Sequence, residues 1–181
     1  MKSKQEIEET LEKNRGTDFV IPMSWDVMFE QMFISKEVMP LLEYIISIFS
    51  NVDINDVKGK VKLLPNELRQ NFAKDTRSKS DIIAEYFKDE KNTDKYIVEM
   101  NSSKKMPWRN VFYAYKVAGG GISIANDKYV KTYDTILINF NNFHDSKHKF
   151  IRTITMRDED GIIYDDSTII YEVNMAKAKD L

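Results

Sequence analysis

Two different spacings of apolar residues divide the chain. Up to about residue 50 they recur at helical intervals, and beyond Val61 they alternate over short runs. Residues 3–14 (SKQEIEETLEKN) favour helix but offer only Ile7 and Leu11 as an apolar stripe, too little to dock firmly. Residues 1–16 are therefore expected to form a flexible N-terminal arm. A clearer helix start stands at Ser24, a good N-cap residue, followed by Trp25, Met28, Phe29, Met32 and Phe33 at helical spacing, which predicts a buried helix. A second apolar run, Val38 to Phe49, carries Pro40 where a first helical turn tolerates it and ends in the polar turn residues Ser50 to Asp56.

From Val61 the texture is β-type: Val61 to Leu64, roughly Leu68 to Phe72, Asp81 to Phe87 and Tyr96 to Met100, with DEKNTD (89–94) as the hairpin turn between the last two. Helical spacing returns from Pro107 to about Ala125 through Trp108, Val111, Phe112, Tyr115 and Val117 or Ala118, interrupted late by Gly119, Gly120 and Gly121. No GK[ST] accompanies that triplet and no strand precedes it, so helix packing or a helix break explains it better than a phosphate loop. TYDTILINF (132–140), KFIRTITMR (149–157) and STIIYEVNM (167–175) read as three more strands, joined by the turn NNFHDSKH and the loop DEDGIIYDD. One crossover helix inside a strand run predicts an α/β fold with a mixed central sheet flanked by helices, not a doubly wound sheet. Two domains cut from 181 residues would each have a marginal core, so residues 17–181 are expected to form a single domain.

Composition narrows the chemistry. Hydrophobic residues at 42% and charged residues at 31% exclude a disordered or fibrous chain. The absence of cysteine removes disulfides, thiolate metal sites and cysteine nucleophiles. The charged stretch Met1 to Arg15 lacks the apolar core of a signal peptide, and the longest apolar run is short and broken by Pro40 and Glu43, so a cytoplasmic protein without a membrane partner is expected. A net charge of −2 gives no global attraction to nucleic acid, and any DNA contact must come from local patches. Lys74, Arg77, Lys79, Lys104, Lys105, Arg109 and Lys116 form one such set around the acidic positions below; a solvated surface is the plain alternative.

Those acidic positions lie in SDIIAEYF and KYIVEMNSSKK. On a strand Glu99 and Asn101 project to one side while Val98 and Met100 turn to the other. A hairpin spanning residues 81–101 returns Asp81 to the neighbourhood of Glu99 and Asn101, and Glu85 shares the face of Asp81. Carboxylates grouped in this way suit a hard divalent cation such as Mg²⁺, which can activate a water and neutralise charge building on a phosphodiester. Exposed strand-end charges are the plain alternative for the acids, as a turn residue is for Asn101. His144 and His148 have zinc-helix spacing but sit in a segment read as turn plus strand, and Asp158 to Asp166 reads as a solvated acidic turn.

An aspartate on one strand, a hydrophobic strand ending in Ile97-Val98-Glu99-Met100-Asn101, and a following helix with Arg109, Tyr113 and Tyr115 resemble the PD-(D/E)XK (restriction-endonuclease-like) phosphodiesterases. Within them the chain is most similar to the recombination-promoting nuclease, or putative transposase, family. SWDVMFEQMF with Asp26 and Phe29 looks like that family's opening helix, and TYDTILINF and IIYEVNM look like its later strands. The resemblance runs from about Phe19 to Met175. It implies a metal-dependent DNA endonuclease acting in transposition or recombination, with Asp81 and Glu99 as ligands of Mg²⁺ (or Mn²⁺), Asn101 in the place of a catalytic lysine or glutamine, and Arg109, Tyr113, Lys104 and Lys105 near the DNA. It also implies a homodimer. Asparagine is shorter than glutamine and uncharged, so it can orient a water or a phosphate oxygen but supplies no cation. A catalytically inactive nuclease-like fold that binds nucleic acid or a protein is the alternative expectation. Longer members of the family carry a helical extension where this chain ends at MAKAKDL, so a short form, a truncated copy and a decayed copy are all open expectations.

Overall fold

A computed structural model describes residues 4–17, 39–65, 67–68, 78–101, 107–142 and 149–180; the helix expected after Ser24 and most of the run from Leu68 to Phe72 lie outside these. Helix α1 (Lys4–Lys13) forms where the sequence favours it. Helix α2 (Met39–Ser50) takes Pro40 in its first turn, where the missing N–H is no loss. A four-residue α3 (Ile54–Val57) stands in what reads as a plain polar turn, started by the Asp53 side chain accepting from the Asn55 N–H at 2.8 Å.

The strands β1 (Val61–Leu64), β4 (Ile82–Phe87), β5 (Thr93–Asn101), β8 (Tyr133–Asn141), β9 (Ile151–Arg157) and β10 (Ile163–Asn174) make one sheet in the order β1-β4-β5-β8-β10-β9. Pairing is antiparallel from β1 to β5, parallel from β5 through β8 to β10, and antiparallel again at β9, so the expected α/β fold with a mixed central sheet is present. Helix α4 (Pro107–Gly119) makes the crossover between the parallel pair β5 and β8. Two short strands, β2 (Glu67–Leu68) and β3 (Ser78–Lys79), pair separately. The chain closes with a 3₁₀ turn at Met175–Asp180.

Period-two alternation splits the sheet between two cores. Tyr86, Tyr96, Val98, Ile138 and Val173 pack with Leu42, Ile46 and Val57 of α2 and α3. Ile83, Ile97, Leu137 and Ile170 face the other way, against Ala114 and Val117 of α4. Here the helix differs from expectation. Trp108 is 84% exposed, and Val111, Phe112 and Tyr115 also face outward, while the buried stripe is Asn110, Ala114 and Val117. Small side chains on that stripe let the backbone lie close to the sheet, which a stripe of large aromatics would prevent.

The helix stops at Gly119 because the next residues begin a hairpin, β6 (Ile122–Ala125) and β7 (Lys128–Lys131), turned by Asn126 and Asp127 at φ 50° and 60°. A side chain at Gly121 would meet the Tyr133 ring at 2.7 Å, and the Tyr133 hydroxyl donates to the Val117 carbonyl at 2.8 Å. Helix termination and close packing together account for the glycine triplet. Strand β10 begins inside the stretch expected as loop, with its register to β9 shifted between Ile163 and Ile170. Among the described residues no helix is long and apolar enough to cross a membrane.

Candidate active site

The β4–β5 hairpin pairs Ile82 with Val98, and one further step along that register brings Asp81 beside Glu99. Each acid is then bound to the backbone of the other's side of the hairpin. Asp81 Oδ2 accepts from the Met100 N–H at 2.8 Å, while Glu99 Oε1 accepts from the Asp81 N–H at 3.1 Å and from the Ser80 hydroxyl at 2.5 Å. Arg109, in the first turn of α4, reaches down to the strand ends. Its Nη2 stands 3.3 Å from Glu99 Oε2 and also donates to Asn101 Oδ1. The guanidinium carbon lies 5.9 Å from the centre of the Tyr113 ring.

Glu99 is only 1% exposed, and burial, reinforced by the negative charge of Asp81, pushes its carboxyl up from the ordinary 4.5 to about 7. The Ser80 hydrogen bond and Arg109 pull the other way without cancelling that rise. Burial, and then the charge on Glu99, raises the Tyr113 hydroxyl as well. A carboxyl poised near neutrality beside a second acid and a guanidinium is an arrangement suited to proton transfer or to cation capture.

Asp81, Glu99, Asn101, Arg109 and Tyr113 thus lie together at the C-terminal end of β5. Glu85 pairs with Lys95, toward the other end of the hairpin, and contributes nothing here. Lys104, Lys105, Lys74, Arg77, His144 and His148 fall outside the described residues. Two carboxylates fit the oxygen preference of Mg²⁺, which commonly takes one or two with the rest water. Among the described residues no group of three histidine, cysteine, aspartate or glutamate side chains comes together as a metal site.

The site is wider than the sequence motif. The parallel register sets Glu99 beside Asn139 and Asn139 beside Glu172, with Asn101, Asn141 and Asn174 one step further along. All six are buried on the α4 face. Arg152 of β9 pairs with Glu172 in register and closes the far side with an ion pair. Three parallel strands therefore end in Glu-x-Asn, Asn-x-Asn and Glu-x-Asn at one level, within VEMN, INFN and YEVN. Asn101 Nδ2 donates to Asn141 Oδ1 at 3.2 Å, and Asn139 Nδ2 donates to the same oxygen at 2.7 Å. That repeat is visible in the sequence once the three strands are known to be parallel and in register. No protein-family model, curated protein or solved structure matches this chain.

Proposed function

We propose that the chain is a Mg²⁺-dependent endodeoxyribonuclease with a PD-(D/E)XK-type core, serving transposition or recombination. Asp81 and Glu99 hold the metal, with Mn²⁺ able to replace Mg²⁺, and Asn101 stands in the catalytic lysine or glutamine position. The observation that carries this reading is the meeting of Asp81, Glu99, Asn101 and Arg109 at one sheet end, with Glu99 buried and its carboxyl near 7. A divalent cation bound there supplies an activated water and offsets charge on the phosphodiester. The chain's own part is to orient: the Asn101 amide fixes a water or phosphate oxygen, and Arg109, which presents only donors, binds a phosphate by its guanidinium fork. Tyr113 lines the approach beside it.

The test is plasmid cleavage with Mg²⁺ or Mn²⁺ against a chelator control, run on wild type, Asp81→Ala and Glu99→Gln. Cleavage by wild type and its loss, by about 100-fold or more, in both variants is the expected result. Cleavage undiminished in both variants would sink the assignment. One observation favours a second reading, an inactive nuclease-like fold that binds nucleic acid. Arg109 engages both Glu99 and Asn101, so an internal cation already holds the position a metal would neutralise. Salt-sensitive DNA binding by wild type without cleavage is what that reading expects.

A further inference from the structure

We propose that the side-chain carbonyl of Asn139 is a third oxygen ligand for the divalent cation of the Asp81 and Glu99 site, extending that site from β5 onto β8. The inference rests on the metal-dependent reading above and adds to it a residue that the β5 motif does not contain.

Position comes first. Glu99 and Asn139 are direct partners in the parallel β5–β8 pairing, on strands about 4.8 Å apart, and both side chains lie on the α4 face. Asn139 is 0% exposed, and its Oδ1 has no hydrogen-bond partner among the described residues. An unpaired carbonyl oxygen buried beside Glu99 calls for a donor or a cation.

The orientation of that oxygen follows from a chain of hydrogen bonds that begins at a group with no choice. Arginine can only donate, so Arg109 fixes the oxygen of Asn101 toward itself and the Asn101 nitrogen toward Asn141. The Asn141 oxygen is therefore the acceptor in the middle. Asn139 must offer it a nitrogen, which it does at 2.7 Å, and its own oxygen is left over. Turning the Asn139 amide round would set two carbonyl oxygens against each other.

Chemistry selects the occupant. Hard cations accept amide carbonyls alongside carboxylates, so the Asn139 oxygen can take a coordination place that Asp81 and Glu99 would otherwise leave to water. Glu172 is not free to do the same, because Arg152 already holds its carboxylate.

Mn²⁺ binding to the full chain, followed by titration calorimetry and by the spin-resonance signal of free Mn²⁺, tests this without any cleavage assay. Wild type should bind, Glu99→Gln should bind far more weakly, and Asn139→Ala should lose about tenfold or more in affinity. Asn139→Asp keeps an oxygen at that place and adds charge, so it should bind at least as tightly as wild type. If Asn139→Ala binds Mn²⁺ as well as wild type while Glu99→Gln does not, Asn139 is no ligand and the two-carboxylate site stands. If wild type binds no Mn²⁺, this proposal and the metal-dependent reading fall together. Should Asn139→Ala fail to fold by circular dichroism, Asn139→Asp decides: weaker binding than wild type overturns the proposal.

Discussion

Strands β5 and β8 carry charge at both ends, and the two ends handle it differently. At the N-terminal end Asp94 and Asp134 are register partners, with Lys88 Nζ 2.8 Å from Asp94 and Lys131 Nζ 2.7 Å from Asp134. These groups border an open cavity of about 310 Å³, and the two lysines are 42% and 48% exposed. At the C-terminal end Glu99 is buried under Arg109, and its other neighbours are the Ser80 hydroxyl, the backbone and carboxylate of Asp81, and side-chain amides. Burial raises the carboxyl of Asp94 too, with the ammonium of Lys88 opposing it. What separates the ends is what water can reach. Solvent shares the work of neutralising charge at the open end, whereas at the closed end one guanidinium and a set of dipoles must do it.

Removing that guanidinium should produce the largest effect. Arg109→Met leaves Glu99 Oε2 without its counter-charge and is expected to cost about 3 kcal/mol at pH 8.5. At pH 6 the cost should be smaller, because Glu99 can then take up a proton. Denaturant unfolding at both pH values measures the two costs. Equal losses would mean that Arg109 acts by packing, and the contrast between the strand ends would fail.

The second effect is the titration of Glu99 itself. Its carboxyl in the fold is near 7 against an ordinary 4.5, so the folded state holds the proton more tightly than the unfolded chain does. The stability this gives is fully present below about 4.5 and is lost as pH rises through 7, by roughly 2–3 kcal/mol. Glu99→Gln cannot titrate, so wild type should lose that much relative to the variant between pH 5 and pH 8. A pH-independent difference would show that Glu99 is already ionised throughout.

Much of this closed end was legible in the sequence. Alternation alone put Glu99 and Asn101 on one face, and hairpin geometry returned Asp81 to them, because both arguments need only residues near in sequence. Asn139 and Glu172 were not legible, since their place in one row with Glu99 depends on a parallel register set by α4 and by the detour through β9. The α4 stripe misled for a related reason. Trp108, Phe112 and Tyr115 have the spacing of a buried face, yet Asn110, Ala114 and Val117 have it equally, and close approach to the sheet beneath favours the smaller set. The β6–β7 hairpin did leave a signal, Asn126-Asp127 between two short β-type runs, which the preceding helical period obscured.

The smallest effects belong to the open end, and their order tests whether burial of the carboxylate governs them. Lys88 sits 2.8 Å from the buried Asp94 and 4.0 Å from Asp134, so Lys88→Met should cost about 1 kcal/mol, at the upper edge for a pair with one exposed partner. Lys131 holds the less buried Asp134 from three residues away along the chain, and Lys131→Met should cost less than about 0.5 kcal/mol. Both losses should shrink in high salt, and by a larger share than that of Arg109→Met, because the lysine pairs are the more open to solvent ions. Thermal unfolding of the three variants at low and high salt compares them directly. If Lys131 proved costlier than Lys88, the strength of these pairs would follow the lysine's own exposure and geometry, and burial of its acid would no longer explain why the two strand ends differ.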